Sequence, residues 1–400
     1  METYDENPVV TPSGEILQGF EQLCHQDALA ADLIDCFVAI FCADIATRRI
    51  PNRPRHLHVQ VKVGGENITA WQNCRPLIER LACFVTKADD DRWNLSFIQQ
   101  DHAFSPAMQT SLPFQGNVAL LSGGLDSFCG TYDVVQKRQP TLFVGYKNNN
   151  IAASKISDTF SFVQSKMPLC ELYAFDKTNV NKVVYTQRTR SLLFLALAVI
   201  SARKNSIRNI YLYENGIMTL NPSFQSRGTT KTTHPKTIML FQQILDDLGF
   251  EQKIHHPFIF HTKGEMVLAL DEDFRNKIAD THSCSKSRTN VKYFKGRRGI
   301  NSCGACVPCL LRKISLAAYD MEHYDHEYSI PYEGNQEDND YRSSLLYFTT
   351  FAEAIKNQRI MQELDIRPKY YSVDDYAAKT LDMLNKFAKE VDVFVKKYGG

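Results

Sequence analysis

Leu29, Leu33, Ile34, Phe37, Phe41 and Ile45 recur at helical spacing, so the first clear element is an amphipathic helix. Leu57, Val59, Val61 and Val63 then alternate with polar neighbours up to Gly64-Gly65, the pattern of a half-buried strand. A second helix near residues 74–85 and a strand around 93–97 complete an αβαβ unit. This unit carries no recognisable catalytic motif, and its expected role is packing or partner contact. The turn-rich, aperiodic stretch DHAFSPAMQTSLPFQGN sets a boundary near residue 112, giving an N-terminal accessory α+β domain over 1–112.

Beyond that boundary the period changes. The apolar runs at 118–121, 141–146 (TLFVGY), 170–175 (CELYAF) and 209–213 (NIYLY) read as strands, and SLLFLALAVISARK, from Ser191, as a strongly apolar helix between two of them. Strands alternating with helices predict an α/β fold, a doubly wound parallel sheet covered on both faces, here assigned to residues 113–320. Ligands of such sheets sit beyond the carboxyl ends of the strands. In the remaining helical C-terminal extension, 321–400, EGNQEDND at 333–340 reads as an acidic, solvated turn. Ser372 opens a long helix with Tyr376, Leu384, Phe387, Val391 and Phe394 on one stripe, expected to dock onto the body, with homodimerisation as the alternative.

Composition adds mainly exclusions. With 400 residues, 44% hydrophobic and 23% charged, the chain can bury a sizeable core. Asp32, Asp35 and Asp44 interrupt its longest apolar helical stretch, and no export-signal layout opens it, so a cytoplasmic protein without a membrane partner is expected. A net charge of +1 supplies no global attraction to nucleic acid, which leaves only local patches for such a role. Eleven cysteines in a chain of this kind point to reduced thiols or metal ligation rather than disulfides.

The first chemical signal is NVALLSGGLDSFCG at 117–130, a strand delivering a polar glycine turn to the start of a helix. Phosphate binding needs unobstructed backbone N–H donors, and a helix N-terminus adds a favourable dipole. Gly123 and Gly124 allow close approach, the Ser122 and Ser127 hydroxyls can donate to phosphate oxygens, and Asp126 can orient the turn or assist a magnesium ion. No Gly-Lys-Ser/Thr follows, so this is not a Walker A loop, and it is not GxGxxG.

The second signal is a cysteine group. Cys303, Cys306 and Cys309 stand at two consecutive C-x-x-C spacings, and Cys284 supplies a fourth sulfur, a set suited to a closed, structural tetrahedral zinc site. Unliganded thiols, an iron–sulfur cluster and a redox-active pair are the competing readings.

SGGLDS carries in full the SGGxDS signature of the PP-loop ATP pyrophosphatases, which the chain therefore resembles. Together with TRSLLFLALA, TKGEMV at 262–267 and a final SC…CGACVPC, it is similar over roughly residues 116–320 to the QueC family, the 7-cyano-7-deazaguanine synthases. The resemblance implies a PP-loop (HUP-like) domain that uses ATP, Mg²⁺ and Zn²⁺. It assigns Ser122, Gly123, Gly124, Leu125, Asp126 and Ser127 to ATP, Arg190 and Lys263 with Asp126 and Ser127 to catalysis, and Cys284, Cys303, Cys306 and Cys309 to zinc.

Three departures reshape the expectation. The chain has GYKNNNIAA where the family has a Tyr-Gly-Gln-Arg-His type sequence, a longer insert SKSRTNVKYFKGRRGINS between the first and second zinc cysteines, and an extra domain at each end. In this it is similar to the QueC-like proteins of bacterial antiphage defence, QatC and the CBASS component among them. The activity so implied is a C–N ligase that adenylates 7-carboxy-7-deazaguanine, releases pyrophosphate and joins the acyl group to an amine on a partner protein. The alternatives are nitrile synthesis from ammonia, a tRNA-modifying PP-loop enzyme, and a nucleotide-binding scaffold without chemistry.

Weaker candidates surround these. The insert carries Lys286, Arg288, Lys292, Lys295, Arg297 and Arg298 with no acidic residue, a charge suited to phosphate, nucleic acid or an acidic protein segment, or simply to solvent. Lys231 and His234 lie in the basic loop RGTTKTTHPK at 227–236 near the expected crevice; Glu214-Asn215-Gly216 follows a strand and can shape a base pocket; His255 and His256 read as structural.

Overall fold

The computed structural model describes residues 17–18, 23–24, 27–50, 53–87, 91–101, 113–147, 149–177, 188–224, 230–286, 291–297 and 299–399. After a two-residue strand β1 (Leu17–Gln18), the N-terminal unit forms the expected αβαβ order: α1 (Ala28–Ala46), β2 (His56–Gly64), α2 (Ile68–Val85) and β3 (Arg92–Gln100). β2 and β3 pair in parallel, with alternate side chains buried. Residues 102–112, where the boundary was expected, lie outside the described residues.

The main sheet is built from β4 (Asn117–Leu120), α3 (Leu125–Lys137), β5 (Thr141–Lys147), α4 (Asn150–Lys166), β6 (Glu171–Lys177), α5 (Arg190–Lys204), β7 (Asn209–Tyr211), α6 (Gly216–Leu220), α7 (Pro235–Asp247) and β8 (Lys253–His255). Five strands run parallel in the order β6-β5-β4-β7-β8, and β1 adds antiparallel to the β6 edge. Residues alternate between faces: Val118 and Leu120 join a core with α5 and α7, whereas Ala119 and Leu121 join one with α3 and α4. Helices on both sides explain why the central strands β4 and β5 are almost continuously buried instead of alternating with exposed polar positions. The central strand β4 passes to β5 on one side and neighbours β7 on the other, so strand order reverses at its carboxyl end, the place where such sheets open a crevice.

The N-terminal unit shares its core with this sheet: Leu33, Phe37 and Trp71 belong to the same buried cluster as Leu192 and Phe241. The aspartates that interrupt α1 serve this packing. Asp32 accepts from Gly64 N and Asn67 Nδ2, both at 2.8 Å. Asp44 accepts from Thr189 N at 3.1 Å and Thr189 Oγ1 at 3.0 Å, at the residue that caps α5, and pairs with Arg55 at 2.8 Å. Arg55 also pairs with Asp91 at 2.6 Å, and all three residues are buried. Burial pushes the Asp91 carboxyl up, but Arg55 and Arg49 outweigh it and hold it below its ordinary 3.8. Its contribution to stability is therefore present above about pH 4 and lost as pH falls below the ordinary carboxylate range. Arg55→Met, which removes one cation and leaves Arg49 paired with these two buried carboxylates, is expected to cost about 3 kcal/mol in a urea titration and to flatten that acid-side loss.

The remainder comprises α8 (Lys263–Leu268), α9 (Glu272–Arg275), α10 (Val291–Phe294), α11 (Val307–Ala317), α12 (Asn339–Lys356), α13 (Ile360–Glu363) and α14 (Tyr376–Tyr398). The last begins after a turn at Asp374-Asp375, four residues later than Ser372 suggested. Its apolar stripe docks as expected: Leu384, Phe387, Val391 and Phe394 join α11, α12 and the cysteine region in one core. EGNQEDND is not a solvated turn throughout. Asp338 is buried, accepts from Tyr341 N at 2.9 Å to cap α12, and pairs with Lys292 at 2.8 Å. Among the described residues no helix is long and apolar enough to cross a membrane.

Candidate functional site

β4 delivers the chain to Ser122-Gly123-Gly124, from which α3 departs. Gly123 has φ +75°, and a Cβ there would lie 2.9 Å from Lys155 Cβ and 3.1 Å from the Ile156 nitrogen, so glycine is required on both counts. Ser127 Oγ accepts from Ser122 N at 3.2 Å and donates to Gly124 O at 3.0 Å, while Ser122 Oγ accepts from Gly124 N at 3.3 Å. The two hydroxyls expected to donate to phosphate thus shape the turn itself. His282 N donates to Gly123 O at 3.0 Å and ties the turn to the segment leading into the cysteine group. The first backbone bond of α3 runs from Phe128 N to Gly124 O at 3.0 Å, so the N–H groups of Leu125, Asp126 and Ser127 precede the helix ladder and point out of its positive end.

Asp126, 7% exposed, is the hub. One carboxylate oxygen forms an ion pair with Lys263, the first residue of α8; the other accepts from Asn215 Nδ2 at 2.7 Å and Asn215 N at 3.3 Å. Burial raises the Asp126 carboxyl, but the Lys263 charge and the bonds from Glu214, Lys263 and Asn215 overcome it and hold it at about 2. Glu214 moves the other way: burial and the neighbouring Asp126 charge push it well above its ordinary value. Asn215 is fixed by capping α6, where its Oδ1 accepts from Met218 N at 3.0 Å, and His256 Nε2 holds the Glu214 carbonyl at 2.9 Å. The ENG turn, a candidate pocket wall or ordinary turn in the sequence, supplies hydrogen-bond partners to Asp126. With Lys263 on one oxygen and Asn215 on the other, Asp126 ties the turn to α8 and to the segment before α6.

Arg190 opens α5 exposed to solvent, close enough to Tyr146 for its charge to oppose the upward push that burial gives the phenol. Among the described residues no hydrogen bond or ion pair joins Arg190 to the turn. Lys231 and His234 are structural: Lys231 Nζ donates to the carbonyls of Leu220 (2.9 Å) and Asn221 (2.8 Å) at the end of α6, and His234 Nδ1 accepts from Lys236 N at 3.1 Å to cap α7. His255, stacked on Tyr211, lies 3.0 Å from Asn209 Oδ1.

The four cysteines come together as expected. Sulfurs of Cys284, Cys303, Cys306 and Cys309 all lie within 4.8 Å of one another. Lys286 N (3.4 Å) and Cys303 N (3.4 Å) donate to the Cys284 sulfur, and Ala305 N (3.4 Å) and Cys306 N (3.3 Å) to the Cys303 sulfur. Such donors stabilise anionic sulfur, and the set can hold a metal such as zinc. Gly304, at φ +75°, makes the turn between the first two knuckle cysteines. Lys313 on α11 reaches back to the carbonyls of Gly304 (2.9 Å), Ile330 (2.7 Å) and Pro331 (2.8 Å). Lys313→Met leaves three carbonyls without their donor and is expected to cost about 2–3 kcal/mol in chemical denaturation, with the metal retained.

The basic insert meets an acidic segment of its own chain. Lys286 pairs with Asp340 at 3.2 Å, and the Tyr293 hydroxyl donates to Asp340 at 2.6 Å. Arg297 donates to the Ser329 carbonyl, Lys295 is exposed, and Arg288 and Arg298 lie outside the described residues. A polar cavity of about 450 Å³ opens between insert and tail, lined by Lys292, Tyr293, Arg297, Ser329, Asn335 and Asp338. No family model matches the chain, and a search of curated proteins also finds no match.

Proposed function

We propose that this protein is an ATP-dependent C–N ligase of the QueC-like kind. In this reading it adenylates 7-carboxy-7-deazaguanine and joins the acyl group to an amine on a partner protein, in antiphage defence. The observation that carries the reading is the SGGLDS turn at the carboxyl end of the central strand, with open N–H donors on α3 and the Lys263 ammonium held beside it by Asp126. Three N–H groups, a helix dipole and a fixed cation suit a triphosphate better than any neutral ligand.

In the reaction so proposed, a substrate carboxylate oxygen attacks the α-phosphorus, the bond to the bridging oxygen breaks, and pyrophosphate leaves with the electron pair. Gly123 and Gly124 admit the phosphates to the backbone, and the donors on Leu125, Asp126 and Ser127 stabilise charge on the oxygens around phosphorus. The Lys263 ammonium is held in place by Asp126 and neutralises the departing pyrophosphate. The amine then attacks the acyl carbon, the acyl–oxygen bond breaks, AMP leaves, and the nitrogen loses a proton. Magnesium would arrive with the nucleotide and screen its phosphates. Zinc on the four cysteines would be structural, because four sulfurs leave no position for water.

The test is mass spectrometry of the products formed with ATP, Mg²⁺, 7-carboxy-7-deazaguanine and a co-encoded candidate acceptor, beside ammonia. A covalent addition to the acceptor with pyrophosphate release is expected. Free nitrile formed from ammonia would replace this reading with nitrile synthesis, and no pyrophosphate with any carboxylate would leave a scaffold.

A further inference from the structure

α14 carries an acid on its buried stripe: Glu390 lies between Phe387 and Phe394 and is only 3% exposed. It accepts a hydrogen bond from Thr262 Oγ1 and one from the Tyr319 hydroxyl at 3.3 Å. Thr262 caps α8, its hydroxyl oxygen accepting from Glu265 N at 3.0 Å while the Glu265 carboxylate accepts from Thr262 N at 2.9 Å. The next residue is Lys263, whose ammonium meets Asp126. A continuous chain therefore runs from the C-terminal helix through a hydroxyl to the site lysine. Gly264 permits it: a Cβ there would lie 2.5 Å from Glu390 Oε1 and 2.5 Å from Tyr319 Cε2. The same helix presses Met383 against Gly216, one residue beyond Asn215, so α14 touches both segments that grip Asp126.

We propose that Glu390 is a positioning residue whose accepting carboxyl oxygen orients the Thr262 hydroxyl and so fixes the start of α8 and Lys263 against the nucleotide loop. This makes the C-terminal extension part of the site's machinery, and its catalytic consequence rests on the reading of Lys263 given above. An accepting oxygen on Glu390 leaves the Thr262 hydroxyl one lone pair free for Glu265 N, which is how one hydroxyl serves two partners. The groups facing Glu390 are Thr262 and Glu265 of α8, Tyr319 after α11, and Lys386 one turn earlier on α14, itself paired with Glu265 at 2.6 Å. Burial, reinforced by the Glu265 charge, pushes Glu390 up to about 8 against the bonds from Thr262 and Tyr319. The stabilisation that accompanies the neutral form is full below the ordinary value of 4.5, declines as pH rises, and is gone above about 8.

The experiment compares Glu390→Gln, Glu390→Leu and Thr262→Val with the full-length protein in two readouts. Hydrogen–deuterium exchange of the backbone at residues 262–268 reports the link itself, and calorimetric binding of ATP with Mg²⁺ across pH 6–9.5 reports its consequence. Glu390→Gln, an uncharged isostere, is expected to keep protection and affinity and to remove their decline on the alkaline side. Glu390→Leu and Thr262→Val are expected to raise exchange at 262–268 and to weaken ATP binding about tenfold. Should Glu390→Leu fail to fold, Thr262→Val, which is isosteric, carries the comparison. Glu390→Gln as damaging as Glu390→Leu, or unchanged exchange in Thr262→Val, would overturn the proposal. If the unaltered protein binds no ATP while the exchange contrast holds, the nucleotide reading fails and the positioning link stands.

Discussion

Asp126→Asn is expected to lower ATP-dependent pyrophosphate release by about a thousandfold, because it disorganises the turn proposed to stabilise charge at the α-phosphate. The same substitution strands Lys263, whose side chain is 7% exposed, without its counter-ion. Breaking a buried pair by removing one partner costs about 3–5 kcal/mol, so a clear loss in denaturant midpoint accompanies the loss of turnover. The two effects separate in the Asp126→Asn/Lys263→Met double variant. Removing both charges is expected to recover much of the stability and none of the activity, whereas additive destabilisation would show that the ion pair does not hold this corner of the fold.

Removing metal from the cysteine centre has the second large expected effect. The unaltered protein is expected to carry one zinc per chain by native mass spectrometry, and Cys306→Ser to lose it. Metal binding at structural sites of this kind contributes about 10–16 kcal/mol of folding free energy in isolated zinc-finger peptides. The centre here sits in the core shared by α11, α12 and α14, so its loss exposes Phe348, Phe351 and Phe387 as well as the knuckle. Increased hydrogen exchange across residues 284–331, with the five-stranded sheet still protected, is the predicted pattern. A metal-free Cys306→Ser with unchanged exchange would show that the thiols are packed rather than ligated. An iron–sulfur centre would announce itself by visible absorption.

Much of this was legible because it depends on local spacing. The αβαβ order, the parallel strands, the glycine turn and the cysteine group all follow from period, turn chemistry and ligand interval, which involve near neighbours in sequence. The later start of α14 is a boundary effect: Ser372 begins a capping pattern, but the turn at Asp374-Asp375 comes first. What the pattern did not reveal are partnerships across long separations. Asp44 looked like an interruption in an apolar helix and is the cap acceptor for Thr189, 145 residues on. Lys286 and Lys292 looked available for phosphate, nucleic acid or an acidic segment, and are paired with Asp340 and Asp338 respectively. Glu390 could have been suspected, since an acid on an otherwise apolar stripe needs a buried partner, but nothing in the sequence named Thr262. Glu214 and Asn215 were noticed as candidates, but a three-residue turn does not disclose that it faces Asp126, 89 residues away.

The central claim is that a carboxylate attacks the α-phosphate of ATP at the SGGLDS turn, and oxygen transfer tests it most directly. With 7-carboxy-7-deazaguanine labelled with ¹⁸O in its carboxylate, the account predicts unlabelled pyrophosphate and AMP carrying one ¹⁸O from the substrate, both absent with Asp126→Asn. AMP whose new oxygen comes only from water, or ADP and inorganic phosphate in place of AMP and pyrophosphate, would contradict it.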